Sequence, residues 1–518
     1  LKVQRDGRDF KVVARPDGDG LVSHSGSAVL VGVAEKTGLR RALSRELGGL
    51  KARRSGHDLG RVVRDLAVML ADGGDCLADL GALGDQGALF GAVASSATAF
   101  RVIDRIASSP DGLERLRAAH AQARARVWEL TGAPELFEID LDATLVGSHS
   151  EKEGAAGTFK GGYGFHPMLA YADGTGEALA GELRPGNAGA NTASDQIMVA
   201  ESAISQIPEE HIEQIEILLR ADSAGQSHDL LDWCRQARIR YSVGYELSEA
   251  VRTQVLQIPD GDWVSAVEQD GTPRTNGQVA EITAALDLTG WPEGSRVIVR
   301  RERAHPGAQL TFTDHDGHRF QAILTDQAGE PAGLECRHRA RAHVEDHIRN
   351  DKDTGMRNLP FKEFEHNRIW LQIVLIAHDL LAWMKRLLLT GKLARCEPKR
   401  LRYRILHAAG RPCLPCPHRD TQTAGQLALG DRAHQRVRAP RRAPRATRLT
   451  TPARPLKPEE PRNYTPREAC PPPGRRSPDR RPARLSTSTA HPTTTRSSRP
   501  APASRETLTS NTLLQDPG

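Results

Sequence analysis

Leu136-Phe137-Glu138-Ile139-Asp140-Leu141-Asp142-Ala143-Thr144 alternates apolar and polar side chains with a period of two, as a half-buried strand does. It starts just after Pro134, where the character of the chain changes. In a strand, Asp140 and Asp142 point to the same face, two residues apart. This run therefore opens a sheet and carries two acids toward one side of it.

Downstream, the glycine-rich stretch from Gly154 to Gly164 reads as a hairpin connection. It lacks the Gly-Lys-Ser/Thr ending of a phosphate-binding loop and carries no nucleotide signal. Two further strands are expected, at His166 to Tyr171 and Ala178 to Leu183. A helix over Ser194 to Gln206 stops before Pro208, and a strand at Ile215 to Asp222 and a helix at His228 to Ala237 follow. Three strands, a helix, a strand and a helix is the order of an RNase H-like α/β core, placed at 131–240. Residues 241–333 then read mainly as strands (Tyr241 to Tyr245, Arg296 to Arg300, Leu310 to Thr313, Phe320 to Leu324), a β-rich insertion before the last core helices at 334–409.

Upstream, Lys51 to Trp128 has apolar residues spaced three and four apart (Val62, Val63, Leu66 and Met69, then Phe100, Ile103 and Ile106), so 1–130 is expected to be mainly helical. Basic residues gather there, at Lys51-Ala52-Arg53-Arg54 and at Arg101, Arg105, Arg115, Arg117, Arg124 and Arg126. They are either a solvated helix face or a DNA-binding one.

The formal charge of +6 hides a division. Residues 411–518 hold 21 of the 71 Lys and Arg and 8 of the 65 Asp and Glu, a surplus of +13 that leaves −7 on the rest. Contacts from the body to a polyanion must therefore come from local patches. The same segment holds 19 of the 32 prolines, a composition that cannot bury a core, so 410–518 is expected to be a disordered Arg/Pro-rich tail. Its abrupt onset after the helical pattern of Leu401 to Ala409 suggests a frameshifted C-terminus, and the first residue, Leu1, suggests a processed or incomplete start. The seven cysteines form no disulfide framework and no signal peptide is visible, which favours a reducing cytoplasm. Ile369 to Leu389 is apolar but contains His378, Asp379, Lys385 and Arg386, the mark of a buried helix and not of a membrane span.

Three acids in distant settings carry the chemistry: Asp142, then Asp222 in Leu218-Leu219-Arg220-Ala221-Asp222-Ser223, then Glu345 in a helical pattern from Arg341 to Ile348. Phosphodiester cleavage needs an activated nucleophile and a stabilised leaving oxygen, and two Mg²⁺ ions about 4 Å apart supply both. Mg²⁺ prefers carboxylate oxygens. Asp142, Asp222 and Glu345 are the expected catalytic and metal-binding residues, with Asp140 the alternative at the first position. A helix places Arg341, Glu345 and Lys352 on one face, so that two cations flank the third carboxylate and can hold phosphate oxygens.

These residues resemble the DDE transposases of bacterial insertion sequences. Arg341, Glu345 and Lys352 fit the Y-x2-R-x3-E-x6-K signature of one cut-and-paste superfamily, with His338 at the tyrosine position. Asp142-Ala143-Thr144 resembles the D-x-T of the first aspartate, and Arg220-Ala221-Asp222-Ser223 the second. Asp353 to Phe361 and the apolar helix beyond it are similar to the thirteen-eighty family. The resemblance implies a cytoplasmic, nucleoid-associated enzyme that binds double-stranded DNA at terminal inverted repeats. It implies cleavage of the element ends with two Mg²⁺ (or Mn²⁺) ions and joining of the 3′-OH to target DNA. It further implies a homodimer or larger complex on DNA, with no membrane involvement, and DNA contacts from Arg341, Lys352 and His338. The alternatives are another RNase H-like nuclease, or an inactive DNA-binding relic.

Other motifs are weaker. Cys413-Leu414-Pro415-Cys416-Pro417-His418 is half of a zinc site without a second pair. Asp17-Gly18-Asp19-Gly20 starts like a calcium loop but has Ala28 where Glu is needed. His149, His166 and His228 lie near the acids and read as structural.

Overall fold

A computed structural model of the protein describes residues 2–5, 8–11, 21–51, 56–303 and 314–410. The tail beyond 410, the Leu310 to Thr313 strand, Asp17 to Gly20, Cys413 to His418 and, apart from Lys51, the basic run at 51–54 lie outside the described residues.

The helical pattern of the first third becomes α1 (Ala28–Lys36), α2 (Leu39–Gly48), α3 (Leu59–Asp72), α4 (Ser96–Ala107) and α5 (Gly112–Thr131). Asp58 starts α3 by accepting the Arg61 amide at 2.8 Å, and the Ser44 hydroxyl of α2 donates to the same carboxylate at 2.6 Å. A β-carbon at Gly60 would come within 2.1 Å of the Ser44 backbone nitrogen, so glycine is what lets α3 approach α2. In an exposed helix Gly→Ala stabilises by about 1 kcal/mol. Here the sign should reverse: Gly60→Ala is expected to destabilise, because overpacking costs about 1–3 kcal/mol. Urea denaturation measures it, and a stability gain would mean that the helix pair separates freely.

The basic face of α5 turns partly inward. Arg124 is fully buried and pairs with Asp379 at 2.7 Å and Glu177 at 3.3 Å, while Arg117 reaches Glu182 at 3.2 Å. Those two arginines fasten helix to sheet and are not available to DNA. A charge count cannot foresee this, because it does not say which acid folds back onto the helix.

The sheet begins with β1 (Leu136–Ala143), β2 (Met168–Ala172) and β3 (Glu177–Glu182). After α6 (Ala193–Ile204) comes β4 (Glu216–Ala221), and after α7 (His228–Gln236) comes β5 (Arg240–Tyr245). Their order is β3-β2-β1-β4-β5; β1 to β3 run antiparallel, while β4 and β5 run parallel to β1. This is the expected RNase H-like arrangement, with β5, read from the sequence as the first strand of the insertion, as its fifth core strand. β2 is buried at every position, as a strand covered on both faces must be.

The β-rich segment forms β6 (Val264–Val267), β7 (Pro273–Glu281), β8 (Arg296–Arg303) and β9 (His318–Thr325). β9 pairs antiparallel with β5, so one sheet of nine strands runs β6-β7-β8-β9-β5-β4-β1-β2-β3. The segment thus covers the backbone donors and acceptors that β5 would otherwise leave open.

The single helix expected through Arg341 and Lys352 is interrupted. α8 (Pro331–Arg339) ends in a tight turn at Ala340–Ala342, α9 (His343–Asp351) follows, and a wide turn spans Lys352–Met356. Gly355 sits there at φ +100°, a conformation that other residues resist. α10 (Phe364–Leu388) then packs against α3, α4, α5 and β3. No helix among the described residues is long and apolar enough to cross a membrane.

Candidate active site

β1 and β4 are parallel neighbours whose register sets Leu136 beside Glu216 and Asp140 beside Arg220. Carried two residues on, that register brings Asp142 and Asp222 together where the two strands end. Alternation puts the Asp140–Arg220 pair and the Asp142–Asp222 pair on one face at different depths. The inner pair is an ion pair: Arg220 Nε and Nη2 donate to the two Asp140 oxygens at 2.6 and 2.8 Å, and neither side chain is exposed. Arg220 also holds Asp173 at 2.8 Å and the Arg337 carbonyl at 2.6 Å. Burial pushes the Asp140 carboxyl up to about 6 even against the pull of Arg220.

The outer pair is open. The Asp142 side chain is 19% exposed and that of Asp222 51%. Asp222 caps the turn after β4 by accepting the Ala224 amide at 3.0 Å, and Asp142 accepts the Ala143 amide at 2.8 Å. One nitrogen of Arg341, Nη2, lies 3.4 Å from Asp142 Oδ2 and 4.0 Å from Asp222 Oδ2. Those two oxygens are therefore no farther apart than the two distances combined. Burial raises the Asp142 carboxyl above its ordinary value; Arg341 opposes this, while Asp222 and Glu345 add to it.

Glu345 lies in the first turn of α9 and shares a cleft of about 610 Å³ with Asp222, His338 and Arg341. It makes no hydrogen bond or ion pair among the described residues. On the adjoining face of α9, Val344, Ile348 and Asp351 are buried. Tyr171 of β2 donates to Asp351 at 2.6 Å, and His378 of α10 meets the other Asp351 oxygen at 2.5 Å. Asp351 thus fixes the helix that presents Glu345. Sequence reasoning passed over it, although an acid in line with Val344 and Ile348 was the available signal.

Lys352 continues the helical backbone of α9 seven residues on from Glu345, with Arg341 in the tight turn before that helix, but its ammonium is not left to solvent. It donates instead to the Thr144 hydroxyl at 2.7 Å, beyond β1, and burial lowers its ammonium pKa. His338 bonds Ser242 at 2.9 Å, and burial, with the charges of Arg341 and Arg220 adding, pushes the imidazole down to about 3, so it is neutral. His166 and His228 are held by backbone carbonyls at 2.7 and 2.8 Å, as structural histidines are.

The donor set of Asp142, Asp222 and Glu345 is oxygen only, the set that hard divalent cations select. Arg341 stands as a cation near two of its members, so the donor type and the local charge suit a divalent cation, while the three carboxylates do not all come within 4.8 Å of one another. Groups of three metal-ligating atoms drawn within 4.8 Å of one another among the described residues are His24, Asp72 and His407, and Asp75, Cys76 and Asp79. Neither includes Asp142, Asp222 or Glu345.

The family model described as Transposase DDE domain group 1 matches residues 4–413. No curated protein matches the chain. Among solved structures, a piggyBac transposase synaptic complex with hairpin DNA is similar at 10% identity and a TM-score of 0.36, over 76% of this chain and 82% of that one.

Proposed function

Since the chain belongs to the DDE transposase family described as Transposase DDE domain group 1, we propose that Asp142, Asp222 and Glu345 are the three acids of a metal-dependent site that cuts and joins DNA strands. The observation that carries this is the guanidinium of Arg341 set between carboxylates from two adjacent strand ends, with Glu345 in the same cleft. Asp142, Asp222 and Glu345 would hold two Mg²⁺ or Mn²⁺ ions. The chemistry such ions supply is activation of the attacking oxygen and stabilisation of the departing one in an in-line displacement. Asp140 is excluded from this role in the proposal, because both its oxygens are taken by Arg220.

The chain's own contribution is binding and orientation. Arg341 and Lys352 contribute positive charge beside the acids, where DNA phosphates would lie. Neutral His338 offers a ring for stacking or a hydrogen bond at the position that the superfamily fills with tyrosine. The Arg341 and Lys352 side chains both reach the β1 end of the sheet, Arg341 at Asp142 and Lys352 at Thr144. The finer assignment is to the thirteen-eighty branch, acting as a homodimer or larger complex on terminal inverted repeats, with residues 1–130 as the end-binding region.

The test is a reaction of the full chain with DNA bearing the repeats that flank its coding sequence, with Mg²⁺ or Mn²⁺. Cleavage followed by joining of the 3′-OH to a target duplex is expected. Cleavage without joining would indicate a nuclease, and binding without cleavage an inactive relic. Lys352→Ala should weaken binding and lower the salt dependence of log K by about one counterion. An unchanged salt slope with a lowered melting temperature would make Lys352 a structural partner of Thr144.

A further inference from the structure

His24, Asp72 and His407 come from three distant parts of the chain and meet at one point. His24 precedes α1 in a left-handed conformation (φ 55°), Asp72 is the last residue of α3, and His407 follows the wide turn at Arg402–Leu406. His24 Nδ1 lies 2.6 Å from Asp72 Oδ2, and His407 Nε2 lies 2.8 Å from the Asp72 carbonyl oxygen and 3.4 Å from Asp72 Oδ1. The two imidazole rings stack at 4.0 Å. The Asp72 side chain is 6% exposed, and those of the histidines are 36% and 37%. Ser27 Oγ donates to Asp72 Oδ1, the oxygen nearer His407, and so helps to fix the carboxylate.

We infer that His24, Asp72 and His407 form a Zn²⁺ site that clasps the two ends of the folded body together. The ligand atoms all lie within 4.8 Å of one another, and tetrahedral Zn²⁺ with bonds of about 2.0–2.2 Å sets its ligand atoms roughly 3.3–3.6 Å apart, a spacing that side-chain rotation of the two histidines can reach. Two nitrogens and one oxygen suit a borderline ion such as Zn²⁺ and do not suit Mg²⁺, which prefers oxygen throughout. The half-exposed histidine edges leave a side open for a water as fourth ligand. The site shares no residue with the acids of the cleft, and its donor set belongs to another class of metal.

Its place in the fold gives it a role. Val22 and Gly410 exchange backbone hydrogen bonds at 2.8 and 3.0 Å, and the Ser25 amide donates to the Ala408 carbonyl at 3.0 Å. Gly26 lies so close that a β-carbon would fall 1.9 Å from the Ile405 carbonyl oxygen. These few contacts join residues 22–26 to 405–410, and a metal held from both segments and α3 would reinforce them.

The test titrates ZnCl₂ into the metal-stripped full chain by calorimetry. Cys413→Ser and Cys416→Ser are present throughout, to remove the thiols of the tail. His24→Gln and His407→Gln should each lose one equivalent of Zn²⁺, or weaken it at least about tenfold, and should lose the rise in melting temperature that Zn²⁺ gives the parent. Glu345→Gln should retain that equivalent. The inference is overturned if the parent binds no Zn²⁺, if both histidine variants bind as the parent does, or if Glu345→Gln alone loses the equivalent. Circular dichroism checks folding, and if one histidine variant unfolds the other decides.

Discussion

Glu345→Gln is expected to lower strand cleavage by about 10²–10³-fold or more, the scale on which loss of one preorganised electrostatic group is felt, while binding to the DNA ends stays largely intact. Gln keeps the size and hydrogen-bonding reach of Glu and removes only the charge that a metal needs. The side chain is exposed and makes no ion pair among the described residues, so the fold does not depend on it. Binding energy comes mainly from phosphate contacts made by other residues. Gel-shift and cleavage assays on one DNA, with a melting curve, separate these effects. Asp222→Asn should behave alike, since Asp222 is half exposed. Retained cleavage in Glu345→Gln would remove Glu345 from the site.

Arg220→Met should produce the largest stability loss, about 3–5 kcal/mol, the cost of breaking a buried ion pair by removing one partner. Methionine fills much of the volume, but Asp140 is left buried without its cation, and Asp173 and Glu138 lose theirs. The pH dependence follows from Asp140. Its carboxyl is already raised from 3.8 to about 6 by burial, so the folded state takes up a proton before the unfolded state does. Stability from that proton is full below the unfolded value and is lost as pH rises through the folded one. Removing Arg220 pushes the folded value higher, so the deficit of the variant should widen as pH rises above about 6. Urea denaturation at pH 5.5 and 7.5 measures this. A deficit that shrinks with pH, or cleavage lost without any loss of stability, would mean that Asp140 works in the cleft and not in the core.

Much of the architecture was legible because it rests on local periodicity. The alternation at Leu136 to Asp142, the apolar spacing before Trp128 and the long helix from Phe364 each follow from which side chains must leave water, and neighbours along the chain decide that. The order of strands and helices then limited the core to an RNase H-like arrangement. Asp142 and Asp222 were visible as candidates because each closes an apolar strand-like run, and Glu345 because it sits in a helical pattern between Arg341 and Lys352.

What only the tertiary structure decided is which charges neutralise one another. Asp140 and Asp142 are equivalent in the alternating run; the register of β1 on β4 gives Arg220 to the first and leaves the second at the rim with Asp222 and Arg341. Arg124 looked like its neighbours on α5 until Asp379 and Glu177 closed over it. Residues 241–333 read as a β-rich insertion; the structure sets its first strand, β5, parallel to β4 in the core, and pairing between β5 and β9 joins the remaining strands to the same sheet. The group of His24, Asp72 and His407 had no signature at all, with 335 positions between the last two. Periodicity is a property of neighbours along the chain, whereas ion pairing, register and metal ligation depend on which distant segments the fold brings within a few ångströms of each other.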